Sequence, residues 1–224
     1  MALGLRTALL VGATGLVGSH LLRRLLEHAA YERVIVWTRR EIPLHDPKLS
    51  QVIVDFEHLQ TYAPSLTAPD VYCALGTTIK AAGSQPAFAR VDHTYPLEIA
   101  RLARKRSAQR FAMVSALGAD ARSRIFYSRV KGEAEDAIGA LEFPKLWFFR
   151  PSLIVGDREQ ARAGERAALA ISNVISPLLI GPLRKYRPIH ADTIAAAMIY
   201  AATQDVPSGV IQSDQIAALA ALAG

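Results

Sequence analysis

Short apolar runs alternate with amphipathic stretches along the first two thirds of the chain. Residues 7–11 form the first apolar run, and residues 19–30 after it carry leucines at helical spacing. A short apolar run is typical of a strand buried on both faces, whereas a 3.6-residue period predicts a helix packed on it. Repetition of this order predicts an α/β domain whose parallel sheet carries helices on both faces. Further strands are predicted at residues 33–37, 51–54, 70–74, 110–114 and 145–149.

A glycine-rich turn joins the first predicted strand to the first predicted helix. In this position the spacing of Gly12, Gly15 and Gly18 indicates the dinucleotide-binding turn of a Rossmann-type fold. Gly12 would allow the tight turn, Gly15 the close approach of a pyrophosphate, and Gly18 the packing of helix on strand. Free N–H groups at the helix start would bind the phosphates. A turn that serves only the fold is the alternative. The expected cofactor residues here are Gly12, Ala13, Thr14, Gly15, Leu16, Val17 and Gly18.

Two arginines, Arg39 and Arg40, follow the second predicted strand. At this point NAD-specific domains place an acidic residue that accepts from the ribose 2′-hydroxyl, whereas an arginine accommodates the 2′-phosphate of NADP. We therefore predict NADP(H) rather than NAD(H) as cofactor, with Arg39 as the first contact and Arg40 stacked on the adenine. Two solvated arginines after a strand are the alternative interpretation.

Tyr127 and Lys131 stand four residues apart, and Ser115 lies upstream of them at the end of an apolar run. On a helix this spacing places both side chains on one face, so that the ammonium lies near the phenol. A free phenol has a pKa of roughly 10, and a nearby cation favours the phenolate. The pair is therefore a candidate general acid for a carbonyl oxygen, although the same spacing is common on half-exposed helix faces.

The glycine turn at residues 12–18, the two arginines after the second predicted strand and the Tyr127–Lys131 pair together resemble the short-chain dehydrogenase/reductase superfamily in its extended or atypical branch. More narrowly, residues 73–78, 127–131 and 150–158 resemble a compact group within it. The resemblance runs over most of the chain and is closest to the compact group of Tat-interactive-protein-like oxidoreductases. It implies a Rossmann-type doubly wound parallel sheet with a small C-terminal substrate lobe.

The resemblance assigns roles to residues at the ends of the predicted strands. Tyr127 would donate a proton, Lys131 would hold the nicotinamide ribose, and Ser115 would orient the substrate carbonyl. The Asp55 carboxylate would accept from the adenine amino group. The other implied cofactor contacts are Phe56 at the adenine, Ala74, Leu75, Gly76 and Thr77 at the pyrophosphate and ribose, and Pro151 and Ser152 at the nicotinamide carboxamide.

One position departs from the family pattern. Where the family often has an asparagine early in the helix after the fourth strand, this chain has Asp92 and His93. If that asparagine supports a proton relay, Asp92, His93 or another route must replace it here. His93 by itself is more simply a structural or surface histidine.

The sequence therefore predicts an enzyme that reduces a small carbonyl substrate by hydride transfer from NADP(H), with a site formed by Ser115, Tyr127 and Lys131. The alternative is a protein that binds NADPH as a sensor or regulator with little turnover, because the lobe is small and the asparagine is missing. Fold alone does not separate the two.

A chain of 224 residues, 51% of them apolar, fits one domain with a substantial core. We expect a cofactor-binding core at residues 1–155 and a small substrate or lid segment at residues 156–224. Arg158, Arg162 and Arg166 recur at spacing four before an apolar helix at residues 167–180, where we expect a lid or a homodimer contact. Helices are also predicted at residues 193–203, with Asp192 or Thr193 as N-cap, and at residues 214–223.

The charge of +6 and the pI near 9.7 raise nucleic acid as a partner. The basic residues are dispersed and lack interleaved aromatics, so we do not expect nucleic-acid binding and assign the charge to a phosphorylated cofactor. Cys73 is the single cysteine and lies in a predicted strand, which favours a core residue. The sequence has no Cys/His cluster for a metal, no bilayer-spanning run and no leader, so we expect no membrane partner and a cytoplasmic location.

Overall fold

Residues 5–156 and 181–223 are described by the structure, a computed structural model. The strands are β1 (Arg6–Val11), β2 (Tyr31–Thr38), β3 (Leu49–Ile53), β4 (Asp70–Cys73), β5 (Arg110–Val114), β6 (Lys145–Arg150), β7 (Ile154–Val155), β8 (Ile189–His190) and β9 (Gly209–Gln212). The α-helices are α1 (Leu16–Glu27), α2 (Ile79–Ala82), α3 (Gln85–Ala89), α4 (Tyr95–Lys105), α5 (Phe126–Gly139), α6 (Ala191–Thr203) and α7 (Ser213–Ala221).

Seven strands form one parallel sheet in the order β3-β2-β1-β4-β5-β6-β9, and β7 pairs with β8 separately. The first six positions follow the strand order of the doubly wound dinucleotide-binding fold, which confirms the predicted fold class. The winding reverses between β1 and β4, which are neighbours in the sheet. A crevice for a ligand is expected outside the carboxyl ends of these two strands.

Every predicted strand is present, with ends shifted by up to two residues. The connection from β3 to β4 is a 3-10 helix, Phe56–Ser65, that contains Pro64, rather than a regular α-helix. β9 was not predicted, because it is an edge strand in which Ile211 is the sole buried residue and the apolar pattern is therefore weak.

Two apolar layers cover the sheet. On one face α1, α6 and α7 pack together, with Leu21, Ile194 and Ile216 fully buried between them. The other face is covered by α4, α5 and the 3-10 helix, through residues such as Ile99 and Ile138. β9 is a strand of the main sheet, and α6 covers one face of that sheet. Part of the segment after residue 156 therefore belongs to the hydrophobic core as well as to any substrate lobe.

A buried cluster of charged and polar residues lies at the amino ends of the strands, whereas the crevice lies at their carboxyl ends. The Asp70 carboxylate pairs with Arg6 at 3.1 Å and Arg110 at 3.0 Å, and it accepts a hydrogen bond from the Tyr31 hydroxyl at 2.8 Å. These groups join β1, β2, β4 and β5. We assign this cluster to the stability of the sheet.

Candidate functional site

The turn after β1 excludes side chains at two positions. Gly12 has φ of +90°, and a Cβ on it would lie 2.5 Å from the carbonyl oxygen of Ala74. A Cβ on Gly18 would lie 1.9 Å from the carbonyl oxygen of Gly12, because the first turn of α1 packs directly on the loop. Gly15 is the N-cap of α1, so the free N–H groups of the first helical turn face this loop. The turn is therefore a cradle of the kind that holds a phosphate.

A cavity of about 540 Å³ lies at the carboxyl ends of β1, β2 and β4, a size typical of a small-molecule site. The predicted cofactor residues that line it are Gly12, Ala13, Thr14, Gly15, Arg39, Phe56, Ala74, Leu75, Gly76 and Thr77. The structure adds residues that the sequence analysis missed, namely Trp37, Thr38, Ala81, Ala82, Ala87, Val91 and Tyr95. The glycine cradle and this cavity fit the dinucleotide that the sequence predicts. Leu16, Val17 and Gly18 instead form the first turn of α1.

Arg39 is the single charged residue among the described residues that line the cavity. Its side chain is exposed, and within residues 5–156 and 181–223 no carboxylate pairs with it. Arg40 is also exposed but does not line the cavity, and its backbone carbonyl accepts a hydrogen bond from the Thr38 hydroxyl at 2.8 Å. The two arginines therefore differ, and the structure gives no support to a stack of Arg40 on the adenine.

The Asp55 carboxylate is engaged away from the cavity. It caps the 3-10 helix by accepting from the Glu57 N–H at 3.0 Å, and it contacts the His58 ring nitrogen at 2.8 Å. The hydrogen bond from His58 and that from the Glu57 backbone lower the pKa of Asp55. Phe56 and Tyr95 line the cavity instead, with ring centroids 5.3 Å apart. Two aromatic rings therefore form part of the cavity wall, and Asp55 does not line it.

Asp92 occupies a π turn, Arg90–Thr94, between α3 and α4. Its carboxylate accepts from the Thr77 N–H at 2.9 Å and lies 2.8 Å from the Lys131 ammonium. Both side chains are almost fully buried, with 1% and 4% exposed. Burial disfavours the charged amine, but the charge of Asp92 and the nearby Tyr127 outweigh it, so the pKa of Lys131 is raised. Of the two residues that stand where the family often has an asparagine, Asp92 is the one seen to pair with Lys131.

Tyr127 lies one turn before Lys131 on α5, half-buried, with its ring 5.4 Å from that of Phe88. Neither Tyr127 nor Lys131 lines the cavity itself. The Lys131 ammonium lies just behind the cavity wall, since a Cβ on Gly76 would be 3.9 Å from Lys131 Nζ. The structure therefore brings the predicted pair next to the predicted cofactor loop.

Ser115 follows β5 and is buried, with 4% of its surface exposed. Its hydroxyl donates to the carboxylate of Glu135 on α5, and that carboxylate also accepts from Arg150 Nε at 3.0 Å. Because its proton is committed to Glu135, the hydroxyl is not free to donate to a substrate carbonyl in this arrangement. The structure places Ser115 in a buried link between β5, α5 and β6. Sequence reasoning missed Glu135, although it stands one turn after Lys131.

Pro151 and Ser152 follow β6 and lie outside the cavity lining. The Pro151 carbonyl accepts from the Leu117 N–H at 2.9 Å. The Ser152 hydroxyl donates to the Arg187 carbonyl and accepts from Ser213 at 3.1 Å. The side chain of Ser152 therefore fixes the segment around Arg187, which leaves backbone groups for the predicted carboxamide contact.

Helix α6 begins with His190 at its N-cap, so neither Asp192 nor Thr193 takes the predicted capping role. Asp192 instead accepts from Arg24 of α1, with Nε at 2.7 Å and Nη2 at 2.6 Å. This hydrogen-bonded pair lowers the pKa of Asp192 to about 2. The arginines and the apolar helix predicted at residues 158–180, with the homodimer contact expected there, lie outside the described residues.

Comparison with known sequences identifies the family. A model of the NAD dependent epimerase/dehydratase family matches residues 8–212. HTATIP2 of Rattus norvegicus is 37% identical over 164 residues, which cover 71% of this chain and 67% of that protein. The mitochondrial protein fmp52 of Aspergillus clavatus is 35% identical over 213 residues, which cover 89% of this chain and 90% of that protein.

Solved structures share the fold at lower identity. WbmH of Bordetella bronchiseptica, in complex with NAD+, aligns with a TM-score of 0.70 and 16% identity over 93% of this chain and 75% of its own. UDP-glucose 4-epimerase of Thermotoga maritima, with UDP-glucose, aligns with a TM-score of 0.65 and 18% identity over 87% of this chain and 72% of its own. At such identities the likeness shows the Rossmann-type fold.

The prediction of a cytoplasmic location is wrong when set against these relatives. The fmp52 proteins of Aspergillus clavatus and Emericella nidulans, and FMP52 of Eremothecium gossypii, all carry mitochondrial in their names. The prediction relied on a default for chains without a recognisable leader, not on a residue of this chain. In the described ranges no helix combines the length and the apolar character needed to cross a bilayer.

The family match extends over most of the chain and agrees with the strand order of the sheet. The resemblance to compact atypical reductases is confirmed by relatives of similar length. The chain belongs to the NAD dependent epimerase/dehydratase family, as an atypical short-chain dehydrogenase/reductase similar to HTATIP2 and fmp52.

Proposed function

We propose that this protein is an NADP(H)-dependent oxidoreductase that reduces the carbonyl group of a small molecule, with Tyr127 as proton donor. The position of the Lys131 ammonium carries this proposal. It lies behind Gly76 in the cavity wall and one helical turn from Tyr127. A cation held there is within reach of both a ribose in the cavity and the Tyr127 hydroxyl.

The charge distribution of the cavity supports NADP(H) over NAD(H). Arg39 is the one charged side chain among its described lining residues, and no carboxylate lies there to accept from a ribose 2′-hydroxyl. A guanidinium pairs with a phosphate through charge-assisted hydrogen bonds. Arg39 would therefore bind the 2′-phosphate, Gly12 and Gly15 would approach the pyrophosphate, and Phe56 and Tyr95 would flank the adenine.

A bound nicotinamide would supply the hydride to the carbonyl carbon. The Tyr127 hydroxyl would give its proton to the carbonyl oxygen, so that the products are an alcohol and a tyrosinate. The Lys131 ammonium, held charged by Asp92, would stabilise that tyrosinate. Bulk water would then return the proton to Tyr127.

A second candidate function is favoured by the contacts of Ser115. Its hydroxyl is bound to Glu135, so Ser115 does not supply a donor for a carbonyl oxygen in this arrangement. A protein that binds NADPH as a sensor, with little turnover, would need no such donor.

Nucleotide titration followed by a carbonyl panel tests both candidates. Trp37 lines the cavity, so quenching of its fluorescence reports NADPH and NADH binding. We expect Tyr127→Phe to lower kcat by about 10²–10⁴-fold and to leave the Kd for NADPH unchanged. Tyr200→Phe, on α6, is the matched control and should retain full activity.

Three outcomes are informative. Tight NADPH binding with Tyr127-dependent oxidation supports the reductase. Tight binding without turnover on any carbonyl supports the sensor. No binding of either nucleotide contradicts both functions.

A further inference from the structure

A single buried carboxylate joins two parts of the site that lie far apart in the sequence. Asp92 contacts the Lys131 ammonium with one oxygen and the Thr77 N–H with the other. We propose that Asp92 is a positioning residue, which holds Lys131 behind the cavity wall and fixes the Gly76–Thr77 loop at the same time. This inference rests on the proposed function, because it concerns the role of Lys131 in that reaction.

The local backbone is built to place this carboxylate. Asp92 lies in the π turn between α3 and α4. A π turn widens the helix by one residue and changes which side chain faces inward, and such turns are frequent at functional sites. Here the inward residue is Asp92, whereas Thr94 at the end of the same turn is exposed.

The charge on Lys131 depends on Asp92. In the part of the chain that the structure describes, three titratable groups face the ammonium: Asp92 from the π turn, Tyr127 from α5 and Cys73 from the end of β4. Burial raises the pKa of Cys73 to about 11, so its thiol is protonated at neutral pH. Among the described residues, Asp92 is the one carboxylate that pairs with this ammonium, of which 4% is exposed.

Removal of that charge alone is possible by Asp92→Asn. The amide oxygen can still accept from the Thr77 N–H, but the ammonium of Lys131 is left buried without an anion. A buried unpaired amine loses its proton at lower pH. Because the proposed reaction uses a charged Lys131, loss of that charge moves the alkaline limb of carbonyl reduction, the pH range in which kcat falls, to lower pH.

The chain contains a matched control on the same helix. Glu135, one turn after Lys131, is also buried, and it pairs with Arg150. Glu135→Gln removes the carboxylate of a buried ion pair, as Asp92→Asn does. Glu135 does not pair with Lys131, so this variant measures the loss of stability that follows from breaking a buried ion pair alone.

The experiment measures kcat and the Kd for NADPH between neutral and alkaline pH in the wild type and both variants. In Asp92→Asn we expect the alkaline limb of the kcat profile to move to lower pH by at least about one unit, which corresponds to a tenfold change in proton affinity. The Kd for NADPH should rise across the same pH range, because a neutral Lys131 holds the ribose more weakly. Glu135→Gln should lower thermal stability and leave both profiles in place.

An unshifted alkaline limb and a flat Kd in Asp92→Asn would overturn the proposal and leave Asp92 a structural residue. If neither the wild type nor any variant reduces a carbonyl, the proposed function fails, but the pH dependence of the Kd still decides the role of Asp92. If Asp92→Asn does not fold, Asp92→Asn with Lys131→Met removes the unpaired ammonium and should fold. Failure of that double variant would also refute the proposal.

Discussion

Arg39→Ala is the most direct test of cofactor choice in this protein. The change removes the one charged side chain from the described lining of the cavity and leaves the glycine turn intact. Arg40→Ala removes the same charge from the next residue, which does not line the cavity. A comparison of the two separates a specific phosphate contact from a general effect of positive charge.

The size of the effect follows from the position of Arg39. A hydrogen bond to a charged group contributes about 1.5–3 kcal/mol, which corresponds to roughly 10- to 150-fold in Kd. Arg39 is exposed, so salt screens part of this interaction. We therefore expect the loss of NADPH affinity to lie near the lower end of that range at physiological ionic strength, and to grow when the salt is reduced.

Fluorescence titration of NADPH and NADH against the wild type, Arg39→Ala and Arg40→Ala gives the result. We expect Arg39→Ala to weaken NADPH and leave NADH unchanged, because NADH has no 2′-phosphate. Arg40→Ala should affect both nucleotides little. Equal losses for the two nucleotides in Arg39→Ala would refute the assignment, as would an unchanged Kd for NADPH.

Three further changes test other parts of the site. Ser115→Ala should lower the free energy of unfolding by about 1–3 kcal/mol, because Glu135 loses a buried donor. It should reduce kcat far less than Tyr127→Phe does, and equal losses would restore Ser115 to the reaction. Gly18→Ala should abolish NADPH binding or folding, since the new Cβ would lie 1.9 Å from the Gly12 carbonyl oxygen, whereas Gly139→Ala, where a Cβ meets nothing within 4 Å, should do neither. Asp192→Asn should cost less than about 1 kcal/mol at pH 7, because the pair is partly exposed. This difference in the free energy of unfolding is measured by denaturation at a series of pH values. It should shrink as the pH falls below the unfolded pKa of about 3.9 and vanish as the pH passes through the folded pKa of about 2. The reason is that a carboxylate with a lowered pKa stabilises the fold only while it is ionised. A difference that persists in strong acid would contradict the role of the Arg24 pair.

Local patterns in the amino-acid sequence were enough to predict the sheet and the glycine turn. Apolar runs mark strands buried on both faces, and this signal needs no knowledge of the rest of the chain. The glycine turn could be predicted from its spacing, and Gly18 packs on the Gly12 carbonyl within that turn, although the neighbour that excludes a side chain at Gly12 is Ala74, far along the chain. Arg39 could be placed at the cavity because ligands meet the carboxyl ends of parallel strands. The spacing of Tyr127 and Lys131 likewise needs only one helix.

Packing between elements selects the partners of the buried polar side chains. The hydroxyl of Ser115, at the end of β5, binds Glu135 on α5. Asp92 meets Lys131 because a π turn and α5 pack together. A side chain with several possible hydrogen-bond partners chooses among those that packing brings within about 3 Å, and that distance is not encoded in local sequence patterns.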